Sequence, residues 1–318
     1  MGAVPSVLGW LIVMVAGMGA IVWGAELFAE HLAAASSRLG ASAFALALLL
    51  AGAEPEELAT VATASARGVD GVAFGDVIGA NAAVATLALA AGVYVATMPF
   101  GQRVRRYGLG GLVAALVAGV IGWDGTVTRP EGAILVAGYI AFVATIWIAE
   151  RQPPALGETS ELDEQRTGPS RVGRDLALVI SGLAALTAGS IALVEGVRQL
   201  SGIEATQTKL GLTIVGFATA FELVVLAWSA SRRGITDAAV AGVVGSYAYN
   251  LTMSLGAGAL IAPIAITDSA TIRAPYIAMA LLLVLVLTLS TRDQTLRRAH
   301  GPILLIGYAA FVATALIA

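Results

Sequence analysis

Three carboxylates crowd one short stretch, Gly52-Ala53-Glu54-Pro55-Glu56-Glu57-Leu58, inside the otherwise apolar run from Ala41 to Ala66. A further acid, Glu222, interrupts the apolar run from Thr208 to Ala230. An ionised carboxylate in a lipid-spanning helix costs at least ~2.5–3.5 kcal/mol, so such residues usually serve an ion or proton pathway. Two carboxylates arriving from separate segments suit a hard cation, since Ca²⁺ takes roughly 6–8 oxygens from carboxylates, carbonyls and water. Glu54 would place an additional charge beside the ion, and crowded like charges are relieved by binding protons. Glu54 and Glu56 are expected on helix faces distinct from that of Glu57, with Glu54 the stronger candidate ligand and Glu56 expected elsewhere.

The remaining polar residues have plainer expectations. Asp76 and Asp237 stand near the starts of segments and read as caps on exposed backbone N–H groups. Glu26 and Glu195, with Glu30 and His31 nearby, could line a passage or mark solvated helix ends. His31 and His300 lack metal-ligand spacing and read as ordinary interfacial residues. Gly75, Gly79 and Gly245 are expected to let helices pack closely.

The elements that must hold these groups follow from composition. With 58% hydrophobic and 12% charged residues among 318, the chain cannot cover soluble domains with polar surface, so it reads as a polytopic membrane protein. The absence of cysteine excludes a thiolate metal site, a disulfide framework and a redox dithiol. No cleavable leader is evident, and the first apolar run is expected to remain as a span. Ten runs are long enough for a bilayer: Val7–Leu32, Ala41–Ala66, Phe74–Val95, Gly108–Trp123, Glu131–Ala149, Leu176–Leu200, Thr208–Ala230, Asp237–Ile261, Pro275–Leu289 and Pro302–Ala318. Alternate loops hold 13 of the 18 basic residues, which makes that side cytoplasmic and places both termini outside. The polar, proline-bearing stretch 151–175 reads as a flexible cytoplasmic linker, too short for a folded domain, between a first unit at 1–150 and a second at 176–318.

The two units share a pattern. Gly79-Ala80 is separated from Gly245-Ser246 by the same interval as Arg67-Gly68 from Arg233-Gly234, and Glu57 is separated from Glu222 by that interval less one position. One inserted residue reconciles the three. Five segments separate the copies, so the second must enter the membrane the opposite way round. Inverted repeats of this kind build many secondary transporters, with the site at the midplane on interrupted helices. The expected fold is therefore all-α, with ten transmembrane helices as two inverted five-helix repeats and with the second and seventh segments broken near the paired acids.

These motifs resemble those of the calcium/cation antiporter superfamily, which includes the sodium/calcium exchangers. Residues 52–84, with Gly52 to Leu58 and then Gly75-Asp76-Val77-Ile78-Gly79-Ala80-Asn81, are similar to its first alpha repeat. Residues 216–250, with Gly216 to Leu223 and Gly245-Ser246-Tyr247-Ala248-Tyr249-Asn250, are similar to its second. The family pattern is Gly-Thr-Ser-x-Pro-Glu-Leu followed by Gly-Asn-Val-Ile-Gly-Ser-Asn-x-x-Asn. The resemblance implies that Glu57 and Glu222 bind transported Ca²⁺, that Thr219, Ser246 and Asn250 supply side-chain oxygens, and that the first and sixth segments slide over the core. The plainer reading of Thr219 and Ser246 is a hydroxyl bonded to the carbonyl one turn back. This chain departs from the pattern with Ala53-Glu54, Ala80 and Val84 in the first repeat, and with Ala218 and Phe221 in the second. Those losses remove neutral oxygens that Na⁺ sites use and favour coupling to H⁺.

The expected activity is exchange of a divalent cation, Ca²⁺ foremost, against H⁺ or Na⁺ by alternating access. The alternatives are exchange of Mg²⁺, Mn²⁺ or a monovalent ion, and a non-transporting sensor or scaffold derived from an exchanger. A channel would draw its pore from oligomeric symmetry and has no need of an internal inverted repeat. An enzyme would need a nucleophile and base or a metal constellation, which the sequence lacks. No cofactor is called for. The partners are inorganic cations and the lipid bilayer of a prokaryotic plasma membrane, with no nucleic acid, and a monomer is the expectation.

Overall fold

The structure is a computed structural model and describes residues 6–38, 54–150, 172–234, 236–291 and 293–318. Apolar sequence dictates the architecture, because backbone in hydrocarbon must satisfy its own hydrogen bonds, which favours helices. The helices are α1 Val7–Arg38, α2 Pro55–Ala66, α3 Asp70–Val95, α4 Gln102–Ile121, α5 Arg129–Glu150 and α6 Val172–Leu200. They continue with α7 Glu204–Arg233, α8 from Thr236–Tyr249 on into Leu255–Ile261, α9 Ala270–Leu289 and α10 Gly301–Ile317. Among the described residues, eight helices are long and apolar enough to cross a membrane; α2 and α8 are not among these. The first half of the expected second span, 41–53, and most of the expected linker, 151–171, lie outside the described residues.

Two short antiparallel pairings tie together connections far apart in sequence. Strand β1, Met98–Pro99, pairs with β4, Thr295–Leu296, and β2, Thr126–Val127, pairs with β3, Ile264–Ala265. The apolar periodicity carried no sign of these two-residue bridges.

Burial separates a centre from a periphery. In the most apolar stretch of α3, 83% of residues are buried, against 22% in α1 and in α10, so α3 is the central element. Glycine brings α3 against α7: a Cβ on Gly75 would lie 2.7 Å from the Leu212 nitrogen, and one on Gly211 would lie 2.8 Å from the Gly71 carbonyl oxygen. Gly79 approaches the Leu212 carbonyl in the same way. The close packing expected of Gly75 and Gly79 is thus present, and its partner is α7. Small residues do the same for α1 and α6, where Gly17 meets the Gly189 carbonyl and Gly24 meets that of Gly182. Without a hydrophobic drive between helices in lipid, such backbone proximity is what holds them.

The helices are locally irregular at recurring places. A π-helical turn spans Val84–Ala88 in α3, and another spans Asn250–Ser254 at the corresponding place in α8. Helices α2 and α7 are each followed by a left-handed glycine, Gly68 at φ 64° and Gly234 at φ 80°, and this pair keeps the same interval as the two π turns. Left-handed backbone after a helix C-terminus favours glycine because a Cβ would clash there. The expected break in the seventh segment is not found: α7 runs through a π turn at Gly211–Val215 straight into Gly216. Phe221 stands where the family pattern has proline, so the ladder there is not deprived of an N–H.

Candidate cation site

The site begins at the N-terminus of α2. Glu54 is the residue preceding the helix, Pro55 opens it, and Glu56 and Glu57 lie in the first turn. Proline suits that place because its missing N–H would have had no helical partner, and the exposed N–H groups of a first turn attract carboxylates. No side chain caps this helix, however. Glu54 and Glu57 are fully buried and Glu56 is 1% exposed, and both carboxylate oxygens of Glu54 and of Glu57 lack a donor among the described residues.

Helix α3 passes beside this turn and contributes Asp76. Helix α3 starts at Asp70, whose Oδ2 accepts the Ala265 N–H at 3.0 Å, so Asp76 sits nearly two turns inside and is not a cap. The expectation for Asp76 is corrected on that ground. It is fully buried, its Oδ1 accepts the Thr219 hydroxyl at 2.9 Å, and its Oδ2 meets no donor among the described residues. Asp237, read as the other cap, has its side chain outside the described residues.

From α7 come Thr219 and Glu222. The Thr219 hydroxyl also lies 3.2 Å from the Val215 carbonyl and 3.4 Å from that of Gly216, so the back-bonding reading and the contact to Asp76 are both realised. Glu222 is half-buried with Oε2 unpartnered. From α8, Ser246 donates to the Gly242 carbonyl at 3.0 Å, and the Asn250 amide nitrogen is 3.5 Å from Asn81 Oδ1 of α3. Asn250 Oδ1 and Asn81 Nδ2 are left without partners.

The neighbourhoods join these pieces. Glu54 lies beside Ser246 and Asn250, Glu57 beside Asp76 and Thr219, and Glu56 faces Glu222. Glu222 in turn faces Glu26 of α1, which is exposed. All six residues singled out for the ion, Glu54, Glu57, Thr219, Glu222, Ser246 and Asn250, therefore occupy one zone between α2, α3, α7 and α8. Glu56, expected elsewhere, belongs to it. Asp76 and Glu56 were the residues that sequence reasoning set aside. The signal available for Asp76 was its place in the Gly-Asp-Val-Ile run, where the family pattern has asparagine.

Among the described residues, seven carboxylate oxygens in this zone meet no donor: two each on Glu54 and Glu57, and one each on Glu56, Asp76 and Glu222. The described ion pairs lie elsewhere, at His31–Asp175, Arg67–Glu195, Arg198–Glu195 and Arg297–Asp293. Glu195 is thus engaged by one arginine at the end of α2 and one from its own helix, and His31 Nδ1 sits 3.3 Å from buried Asp175 and is not a free interfacial residue. His300 Nδ1 accepts the Arg297 N–H at 3.2 Å. Uncompensated carboxylates in a low-dielectric interior cost several kcal/mol each, so the zone demands cations or protons. Among the described residues, no three acidic or imidazole side chains converge closely enough to enclose a metal ion by themselves. A cation here would complete its shell with the oxygens of Thr219, Ser246 and Asn250, backbone carbonyls or water.

Comparison with known proteins identifies the family and the fold. The chain is 27% identical to the putative antiporter CaxA of Alkalimonas amylolytica over 93% of its own length and 95% of that relative. It is 28% identical to the sodium/calcium exchanger MaX1 of Methanosarcina acetivorans over 44% of this chain and 40% of that one. Its fold matches the sodium-calcium exchanger NCX_Mj with a TM-score of 0.62 at 19% identity, covering 97% of this chain and 99% of that one. It also matches the H⁺/Ca²⁺ exchanger CAX with a TM-score of 0.72 at 15% identity, covering 96% and 86%. The family model described as sodium/calcium exchanger protein matches residues 9–148 and 175–317, nearly the whole chain, and the protein belongs to that family of ion-exchanging membrane transporters.

Proposed function

We propose that this protein is a secondary antiporter that exchanges a divalent cation, Ca²⁺ foremost, against H⁺. The observation that carries this reading is the set of seven buried, unpartnered carboxylate oxygens on five acids between four helices. One Ca²⁺ balances two of those charges, and protons on the others relieve the rest. Neutral side-chain oxygens are fewer, because Ala53, Ala80, Val84 and Ala218 stand where the family pattern supplies hydroxyls or amides. Protons therefore suit the return stroke better than Na⁺. Glu57 and Glu222 bind the ion, Glu54 supports it, and Thr219, Ser246 and Asn250 supply neutral oxygens. An empty, unprotonated site would hold unpaired buried charge, which discourages uncoupled return.

The architecture we propose is ten spans in two inverted five-helix units, 1–150 and 176–318, joined by the polar stretch 151–175. The recurrence of left-handed glycines and π turns at one common interval supports it, as do the glycine contacts that α1 and α6 make with each other.

The test is Ca²⁺ uptake into liposomes holding the purified protein, driven separately by an outward H⁺ gradient and an outward Na⁺ gradient. Saturable uptake with the H⁺ gradient alone, abolished by Glu57→Gln and by Glu222→Gln, is the expected result. Uptake only with Na⁺ would overturn proton coupling. Absence of uptake under either gradient, in folded protein, would sink calcium exchange.

A further inference from the structure

We infer that Asp76 is a further cation-binding residue, acting with Glu57 on one ion and held in position by Thr219; this rests on the proposed antiport site. Three observations of geometry carry it. Asp76 is fully buried in the second turn of α3, the most enclosed helix, with no described ion pair in reach. Its Oδ1 is oriented by the Thr219 hydroxyl at 2.9 Å, which leaves Oδ2 as an unpartnered acceptor. The carboxyl of Glu57, whose oxygens likewise meet no donor among the described residues, lies within hydrogen-bonding reach of it.

The local structure explains how the residue arrives there. Gly75 presses α3 against the backbone of α7 at Leu212, and Asp76, the next residue round the helix, is turned by about 100° toward Thr219 and the first turn of α2. A purely structural carboxyl would use both oxygens, because a buried acceptor left unmade costs roughly 1–3 kcal/mol, more if charged. Here one oxygen is anchored by Thr219 and the other is left with a second carboxyl, Glu57, as its neighbour, a pairing that needs either a shared proton or a cation between the two. That is the donor arrangement of a hard cation bridged by two carboxylates, with a hydroxyl adjacent. An asparagine at this position, as in the family pattern, would offer a neutral oxygen. Asp76 therefore adds a charge that strengthens the hold on divalent over monovalent ions.

The experiment is titration of the full-length purified protein with Ca²⁺ by calorimetry, comparing the parent, Asp76→Asn, Glu57→Gln and the double variant. The amide keeps the shape of the carboxyl and can still accept from Thr219, so Asp76→Asn is expected to fold; the unfolding midpoint without Ca²⁺ checks this, and Asp76→Ser serves if it does not. Asp76→Asn should weaken Ca²⁺ binding by about tenfold or more, and the double variant should lose less than the product of the single losses, since contacting residues on one ion are coupled. Parent-like affinity in Asp76→Asn, with binding lost in Glu57→Gln, overturns the role of Asp76 and leaves the antiport site standing. Parent-like affinity in both Asp76→Asn and Glu57→Gln, or no Ca²⁺ binding by the parent, overturns both readings.

Discussion

At the scale of single residues, the site is a contest between burial and charge. Hydrogen bonding satisfies some of its groups and leaves others without partners. Ser246 illustrates the division. Its hydroxyl lies 3.0 Å from the Gly242 carbonyl and also beside the Glu54 carboxyl, so its oxygen is held at the edge of the site. A hydroxyl so fixed can coordinate a cation without reorganising. Replacing it with alanine removes one ligand and one local hydrogen bond that contributes little. Ser246→Ala is therefore expected to slow Ca²⁺ flux about tenfold, equivalent to ~1.4 kcal/mol, while unfolding shifts by less than about 1 kcal/mol. Asn250→Ala should cost more of both, because Asn81 loses the amide beside it. Flux and thermal unfolding measured on the same preparations check the pair. Equal flux in Ser246→Ala and parent would remove that residue from the ion's shell.

At the scale of elements, the glycines of α3 set how the site closes. Gly79 and Gly216 place the α3 and α7 backbones in direct contact, with a Cβ on Gly216 only 2.5 Å from the Ala80 nitrogen. Backbone cannot yield as a side chain can, so overpacking here forces the helices apart. Gly79→Leu is expected to destabilise the protein by about 3 kcal/mol or more and to separate Asp76 from Thr219, which share the same interface. Thermal unfolding of the purified variant, with Gly19→Leu as the control, reads this directly, since a Cβ on Gly19 meets nothing within 4 Å. A midpoint for Gly79→Leu equal to that of the control would contradict the packing account. Helices α1 and α6 form a separate pair, crossing at Gly17 and Gly189, and they join the core through Thr60–Ser190 and Arg67–Glu195. A pair so closely joined within itself is suited to move as one body.

At the scale of the molecule, topology and transport are the quantities to settle. Because the chain has no cysteine, single cysteines report sidedness without background. A cysteine replacing Ser6 should react with a membrane-impermeant maleimide in intact cells. One replacing Ser160, in the polar stretch between the two units, should react only after permeabilisation. The reverse pattern would invert the assignment drawn from arginine distribution. It would leave the site itself unchanged, since the contacts among its side chains do not depend on which face is cytoplasmic.

Much was legible in the sequence because lipid imposes strict rules. Apolar runs had to be helices, and eight of the ten expected spans have a counterpart among the helices long and apolar enough to cross a membrane. Acids in those runs needed a reason to be there, and Glu54 lies near both Glu57 and Glu222. The resemblance of the motifs to those of the antiporter family implied Thr219, Ser246 and Asn250 as their neighbours. Other features depended on distance between chain segments, which periodicity does not encode. Asp76 read as a cap because its neighbours in sequence allow it; only the start of α3 at Asp70 and the hydroxyl of Thr219, 143 residues away, show it inside the site. Glu56 was assigned away from Glu57 by helical rotation alone, yet Glu222 approaches from α7 to face it. The two strand bridges, Met98 with Leu296 and Thr126 with Ala265, each join connections from different halves of the chain. Composition and motif thus determined which groups this protein must bury. Tertiary structure decided which of them face one another, because a carboxylate's role is set by the partners it is denied as much as by those it has.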